Sequence, residues 1–136
     1  GSAGACSALY AALSGNADVA FVAAYVPQTS LDPAQMRSWI PEIKYGASAF
    51  GFADFDAWLK NRASVEKCIA QYSPAALVPS AAARKAKTEF FLFYPNGKLD
   101  ATHSEKFGEN FEKICKSNGV PCKVVRGELD ISSCLK

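Results

Sequence analysis

Two short apolar runs constrain this fold more than any other feature. "DVAFVAAY", Asp18 to Tyr25, and "TEFFLFY", Thr88 to Tyr94, are apolar almost without a break. A strand with one face in water alternates apolar and polar residues. A run this short and this continuous reads instead as a strand covered on both faces, as in the middle of a parallel sheet. Pro27 closes the first run, and the turn "PNG", Pro95 to Gly97, closes the second. "PCKVV" adds a third short run ending at Val125. Residues 19–25, 89–94 and 122–125 are therefore predicted to be parallel strands of one sheet.

Parallel strands need crossovers, and the intervening segments supply helices. Ala5 to Ser14 is built of small and apolar helix formers, with Gly15 as a C-terminal stop. Asp32 is placed to cap a helix that has Pro33 at its first position. "FADFDAWLKNRASVEKCIAQY" reads as one broken helix or two short ones, ending before Pro74. "SPAALVPSAAARKAK" reads as a linking loop. The last helix is expected over 103–118. Thr102 and Glu105 have capping-box spacing, Phe107, Phe111, Ile114 and Cys115 form one stripe, and Asn118-Gly119 is the stop. This alternation points to an α/β chain, a three-layer α/β/α sandwich around a mainly parallel sheet. At 136 residues it is one domain, with a helical insertion at about 30–75.

The formal net charge is +2, and the only local basic cluster is Arg84, Lys85 and Lys87, which reads as a solvated face; nucleic acid is not expected as a partner. No apolar run is long enough to span a membrane. The five cysteines match no zinc spacing, so no metal is expected, and no organic cofactor is implied. Cys115 and Cys122 flank the turn "KSNGVP"; a helix-to-strand disulfide and a pair of buried free thiols are both open readings. The only methionine is Met36, so the sequence does not begin at a translation start and leaves localisation open, a secreted or periplasmic origin included.

The chain opens "GSAGACSALYAALSG". Gly1-Ser2-Ala3-Gly4 matches the back end of the G-x-S-x-G turn, which holds a serine above a helix N-terminus. With "DVAFVAAYVPQTSLDPAQMRSW", "YSPAALV" and "KTEFFLFYPNGKLDATHSEKFGENFEKICKSNGVPCKVV", the chain resembles the C-terminal half of an α/β-hydrolase, closest to esterase-like and acyl-peptidase-like members. The resemblance runs from the nucleophile elbow through a lid-like insertion to the final strand. It implies a serine-dependent carboxylic ester hydrolase that works through a Ser2 acyl-enzyme, on a small-molecule ester that includes carbohydrate-linked esters.

In that family the serine, acid and histidine follow in this order along the chain. The resemblance makes Ser2 the nucleophile and the Ala3 backbone N–H one oxyanion donor. Asn96 falls where many relatives carry the acid; Asp100, four residues on, is the nearest carboxylate and the candidate acid, with a helix-starting turn residue as the alternative. The triad histidine should follow the last strand, but "RGELDISSCLK" contains none. The only histidine, His103, reads as a surface residue in a first helical turn. The triad histidine is therefore expected to be absent and the chain inactive on its own. A catalytically inactive hydrolase fold used for binding or structure is the alternative function, and an unrelated small α/β module is a third reading. Trp39, Phe50, Phe52, Phe55 and Trp58 are open to two readings, substrate wall or core packing. Three strands against the usual eight leave apolar surface uncovered, so the missing half of the fold or a second copy is expected to be needed for stability.

Overall fold

The computed structural model describes residues 1–135. Helix α1 (Ser2–Leu13) leads into strand β1 (Phe21–Tyr25), and helices α2 (Pro33–Trp39), α3 (Phe55–Lys60), α4 (Glu66–Tyr72) and α5 (Pro74–Ala83) follow. Strand β2 (Glu89–Tyr94), helix α6 (Lys106–Ser117) and strand β3 (Cys122–Arg126) complete the order. The sheet order is β1-β2-β3, and both pairings are parallel, with Phe21 opposite Glu89 and Phe90 opposite Cys122. The expected parallel strands are thus present, with the first beginning at Phe21 rather than at residue 19.

One face of the sheet is closed by helices. Val22 and Ala24 of β1 and Phe90, Leu92 and Tyr94 of β2 share a core with Leu9 of α1, Val78 of α5, and Phe111 and Cys115 of α6. The alternate residues Phe21, Ala23, Tyr25 and Phe91 are only partly buried. The outer edge of β3 is blunted by α6, where Glu112 Oε2 accepts the Val124 N–H at 3.1 Å. A carboxylate there occupies a donor that would otherwise be open to another strand.

Two local expectations change, and one open pair of readings is decided. The segment read as a linking loop contains α5: Ser73 and Pro74 begin the helix, and an alanine-rich sequence carries it through an internal Pro79. Pro74 at the first position gives up an N–H that has no helical partner anyway, and alanine has the highest helix propensity. The expected helix over 103–118 starts only at Lys106. Thr102 does not cap it. Its hydroxyl and backbone N–H both donate to the Asp100 carboxylate, at 2.6 and 2.8 Å, and Glu105 pairs instead with Arg126. A full negative charge at Asp100, six residues ahead of Lys106, outcompetes the neutral capping box. Finally, all five cysteines are free thiols.

The insertion between β1 and β2 has its own core of Met36, Ile40, Ile43, Ala47, Phe55 and Trp58. Phe107, from the first turn of α6, joins it and meets Trp39 edge to face at 4.9 Å between centroids. Asp32 caps α2 as expected, accepting the Ala34 N–H at 3.0 Å. The same carboxylate takes both arms of Arg62 at 2.8 and 2.6 Å, which holds its pKa below the ordinary range. The insertion is therefore fastened at the C-terminal ends of the strands, where open α/β sheets place their ligands.

Candidate active site

Ser2 is the first residue of α1 and has φ of 46°, in the left-handed region that side chains other than glycine seldom adopt. Backbone strain of this kind persists only where surrounding contacts hold it, and it is common at functional sites. Gly1 packs so closely on β1 that a Cβ would lie 3.4 Å from the Tyr25 carbonyl oxygen. Ala3 is exposed beside Ser2, and no side chain caps this helix end. The first-turn N–H groups, which have no partner within the helix, therefore face the space around the serine hydroxyl.

Asp100 and His103 reach the same place from the loop after β2. His103 Nδ1 lies 2.8 Å from Asp100 Oδ1, and His103 Nε2 lies 3.3 Å from Ser2 Oγ. The expectation that no histidine would reach Ser2 is not how the chain folds. Because α6 starts at Lys106, His103 sits in a turn and not on a helix face. Its side chain is 25% exposed while that of Asp100 is 66% exposed, so the imidazole is half-covered and the carboxylate stays wet. The Thr102 hydroxyl, then His103 and the Thr102 N–H, hold the Asp100 carboxyl down at about 2, well below the usual carboxylate range. Asn96 makes no side-chain hydrogen bond among the described residues, whereas the Asp100 carboxylate lies against the His103 ring.

The surrounding contacts explain why the loop stays put. Tyr45 Oη donates to the Thr102 carbonyl at 2.9 Å, and burial together with the nearby Asp100 charge raises its pKa. Thr29, fully buried, donates to the Phe107 carbonyl at 2.8 Å, joining the segment after β1 to the start of α6. Val26 takes φ of 43°, unusual for a β-branched residue, and is pinned by its N–H to the Phe93 carbonyl at 2.9 Å. Val26, Gln28, Tyr45 and Phe107 line the small cleft into which Ser2 and His103 point. The sequence reading missed Tyr45 and Val26. Neither lies in a motif, and both act through contacts across the fold.

A second, larger cleft of about 670 Å³ adjoins this one and shares Gln28 and Tyr45 with it. The aromatic residues of the insertion divide between the two readings given above. Trp39, Phe52 and Phe55 belong to the insertion core, whereas Phe50 and Trp58 pack in that core and also line the large cleft. Among the described residues, no group of histidine, cysteine and carboxylate side chains is arranged to hold a metal ion, and no helix is long and apolar enough to cross a membrane.

No protein-family model and no curated protein matches this chain.

Proposed function

We propose that this chain carries a serine hydrolase site acting on carboxylic esters, with Ser2 as nucleophile, His103 as base and Asp100 as the group that orients the imidazole. One observation carries the reading: the unbroken hydrogen-bonded path from Asp100 through His103 to Ser2, 2.8 Å and then 3.3 Å long. The longer step is of the size found between nucleophile and base before substrate binds. The resemblance to the second half of an α/β-hydrolase supports the same reading, and a second helical layer over Phe21, Ala23, Tyr25 and Phe91 would complete the three-layer fold it implies.

The chemistry follows from the arrangement. Asp100 accepts the Nδ1–H of His103, which leaves Nε2 as the acceptor facing Ser2 Oγ. As Ser2 Oγ attacks the ester carbonyl, Nε2 takes its proton. The carbonyl oxygen gains negative charge beside the Ala3 N–H and the positive end of α1. Collapse expels the alcohol, which takes the proton back from His103, and leaves an acyl group on Ser2. Water, activated by the same imidazole, then releases the acid and restores the hydroxyl.

Turnover of an activated aryl acetate tests this directly. The expected result is hydrolysis by the native chain that is lost in both Ser2→Ala and His103→Ala. Equal rates in all three proteins would reject the proposal and leave the inactive binding fold as the better reading.

A further inference from the structure

Among the described residues, the large cleft beside the nucleophile is walled without a single charged side chain. Tyr45, Phe50, Trp58 and Tyr72 supply aromatic surface, and Leu31 and Val65 supply aliphatic surface. Phe50 is stacked on the fully buried Trp58 at 4.8 Å between centroids and 20° between planes, so the Phe50 ring is held flat against the ring beneath it. Gly46 makes room for that wall, since a Cβ there would stand 3.0 Å from Trp58 Cζ3, and its φ of 101° suits glycine alone. Two cysteines also face the cleft; burial raises the pKa of the Cys6 thiol and keeps it uncharged. The cleft adjoins the Ser2 site, sharing Gln28 and Tyr45 with it, and Ala3 on its wall is the residue next to Ser2.

Resting on the assignment of Ser2 as nucleophile, we infer that this cleft binds the aromatic portion of an uncharged ester whose carbonyl lies at Ser2. Its volume of about 670 Å³ falls in the range that encloses a small organic ligand. Ring-on-ring contact with Phe50, which the buried Trp58 backs from beneath, favours a flat aromatic group over an aliphatic one of similar size. A carboxylate on that ring would enter a wall holding no cation to pair with it and would lose its hydration without compensation.

Binding to the Ser2→Ala protein separates this inference from the catalytic reading, because no turnover is needed. The probes are ethyl benzoate, ethyl acetate and monoethyl terephthalate, followed by Trp fluorescence. Ethyl benzoate is expected to bind at least about tenfold more tightly than either of the others. Ala49→Trp, on an exposed rim position that leaves the core untouched, is expected to weaken ethyl benzoate by about tenfold. Equal affinities for the three esters, no detectable binding of ethyl benzoate, or indifference to Ala49→Trp would overturn the inference even if the native chain hydrolyses acetate. Selective binding of ethyl benzoate by a protein with no esterase activity would uphold the cleft and reject the catalytic reading.

Discussion

His103 Nε2 stands 3.3 Å from Ser2 Oγ, although the two residues are separated by 101 positions in the chain. What brings them together is the parallel sheet. The turn before α1 and the loop after β2 both lie at the C-terminal edge of the strands, and β1 pairs directly with β2. The relationship depends on few supports, and each can be removed singly.

Asp100→Asn keeps the size of the side chain and removes its charge. The amide can present its N–H₂ to Nδ1 and reverse the imidazole tautomer, so that Nε2 carries the proton and cannot accept one from Ser2. The expected loss in kcat/KM is on the order of a hundredfold or more, with circular dichroism unchanged. A rate near that of the native chain would remove Asp100 from the catalytic group.

The pH profile should report one group on its acid side. The Asp100 carboxyl is depressed to about 2, so it is ionised in both the resting and working enzyme until strongly acid pH. Its stabilising interactions are fully present above the ordinary aspartate range and are lost only as pH falls through that depressed value. Loss of kcat/KM on acidification above that range therefore does not come from Asp100, and a limiting slope of one is expected. A slope of two would show a second essential base.

Tyr45→Phe deletes the hydroxyl that donates to the Thr102 carbonyl and leaves the ring in place. The loop carrying Asp100 and His103 loses one anchor, worth about 1 kcal/mol. We expect kcat to fall several-fold while KM for an aryl acetate moves little, since the cleft wall is retained. A change confined to KM would place Tyr45 with the substrate and not with the loop.

Gly108→Ala tests the packing behind the site. Alanine would ordinarily stabilise a helix interior by about 1 kcal/mol over glycine. Here the new Cβ would lie 2.5 Å from both Oη and Cε2 of Tyr94, which is 1% exposed and has no room to swing away. Overpacking of this kind costs about 1–3 kcal/mol or more, so the clash outweighs the propensity gain. The variant should unfold at lower denaturant concentration; increased stability would show that Tyr94 can move.

The thiols should fall into two classes. Cys68 is exposed, while Cys115 is fully buried and Cys122 is half-buried beside it. The Cys115 sulfur beside it, burial and the neighbouring Glu112 raise the pKa of Cys122 above that of a free thiol. A thiol reagent at neutral pH is expected to modify Cys68 rapidly and Cys115 and Cys122 only on unfolding. Fast labelling of Cys122 in the folded protein would contradict this arrangement.

The strands were legible because continuous apolar runs have few other uses in a chain this short, and Asp32-Pro33 announced α2 correctly. Helix α5 was not, because Pro74 and Pro79 look like breakers until one sees that the first occupies the position a helix tolerates. Thr102 and Glu105 carried a capping signal that Asp100 overrides, and the overriding charge is itself a site residue. His103 was placed on a helix face for that reason. Three-residue spacing between Asp100 and His103 was the available clue, but its meaning depends on Ser2 arriving from the other end of the chain.

Reaction with a fluorophosphonate, read by mass spectrometry of the Ser2 peptide, tests the central claim most directly, because a serine hydroxyl without a base is inert to it. One adduct per native chain is expected, located on Ser2, and none on Ser2 in His103→Ala under the same conditions. An unmodified Ser2 in the native chain, or equal modification of Ser2 in His103→Ala, would contradict it.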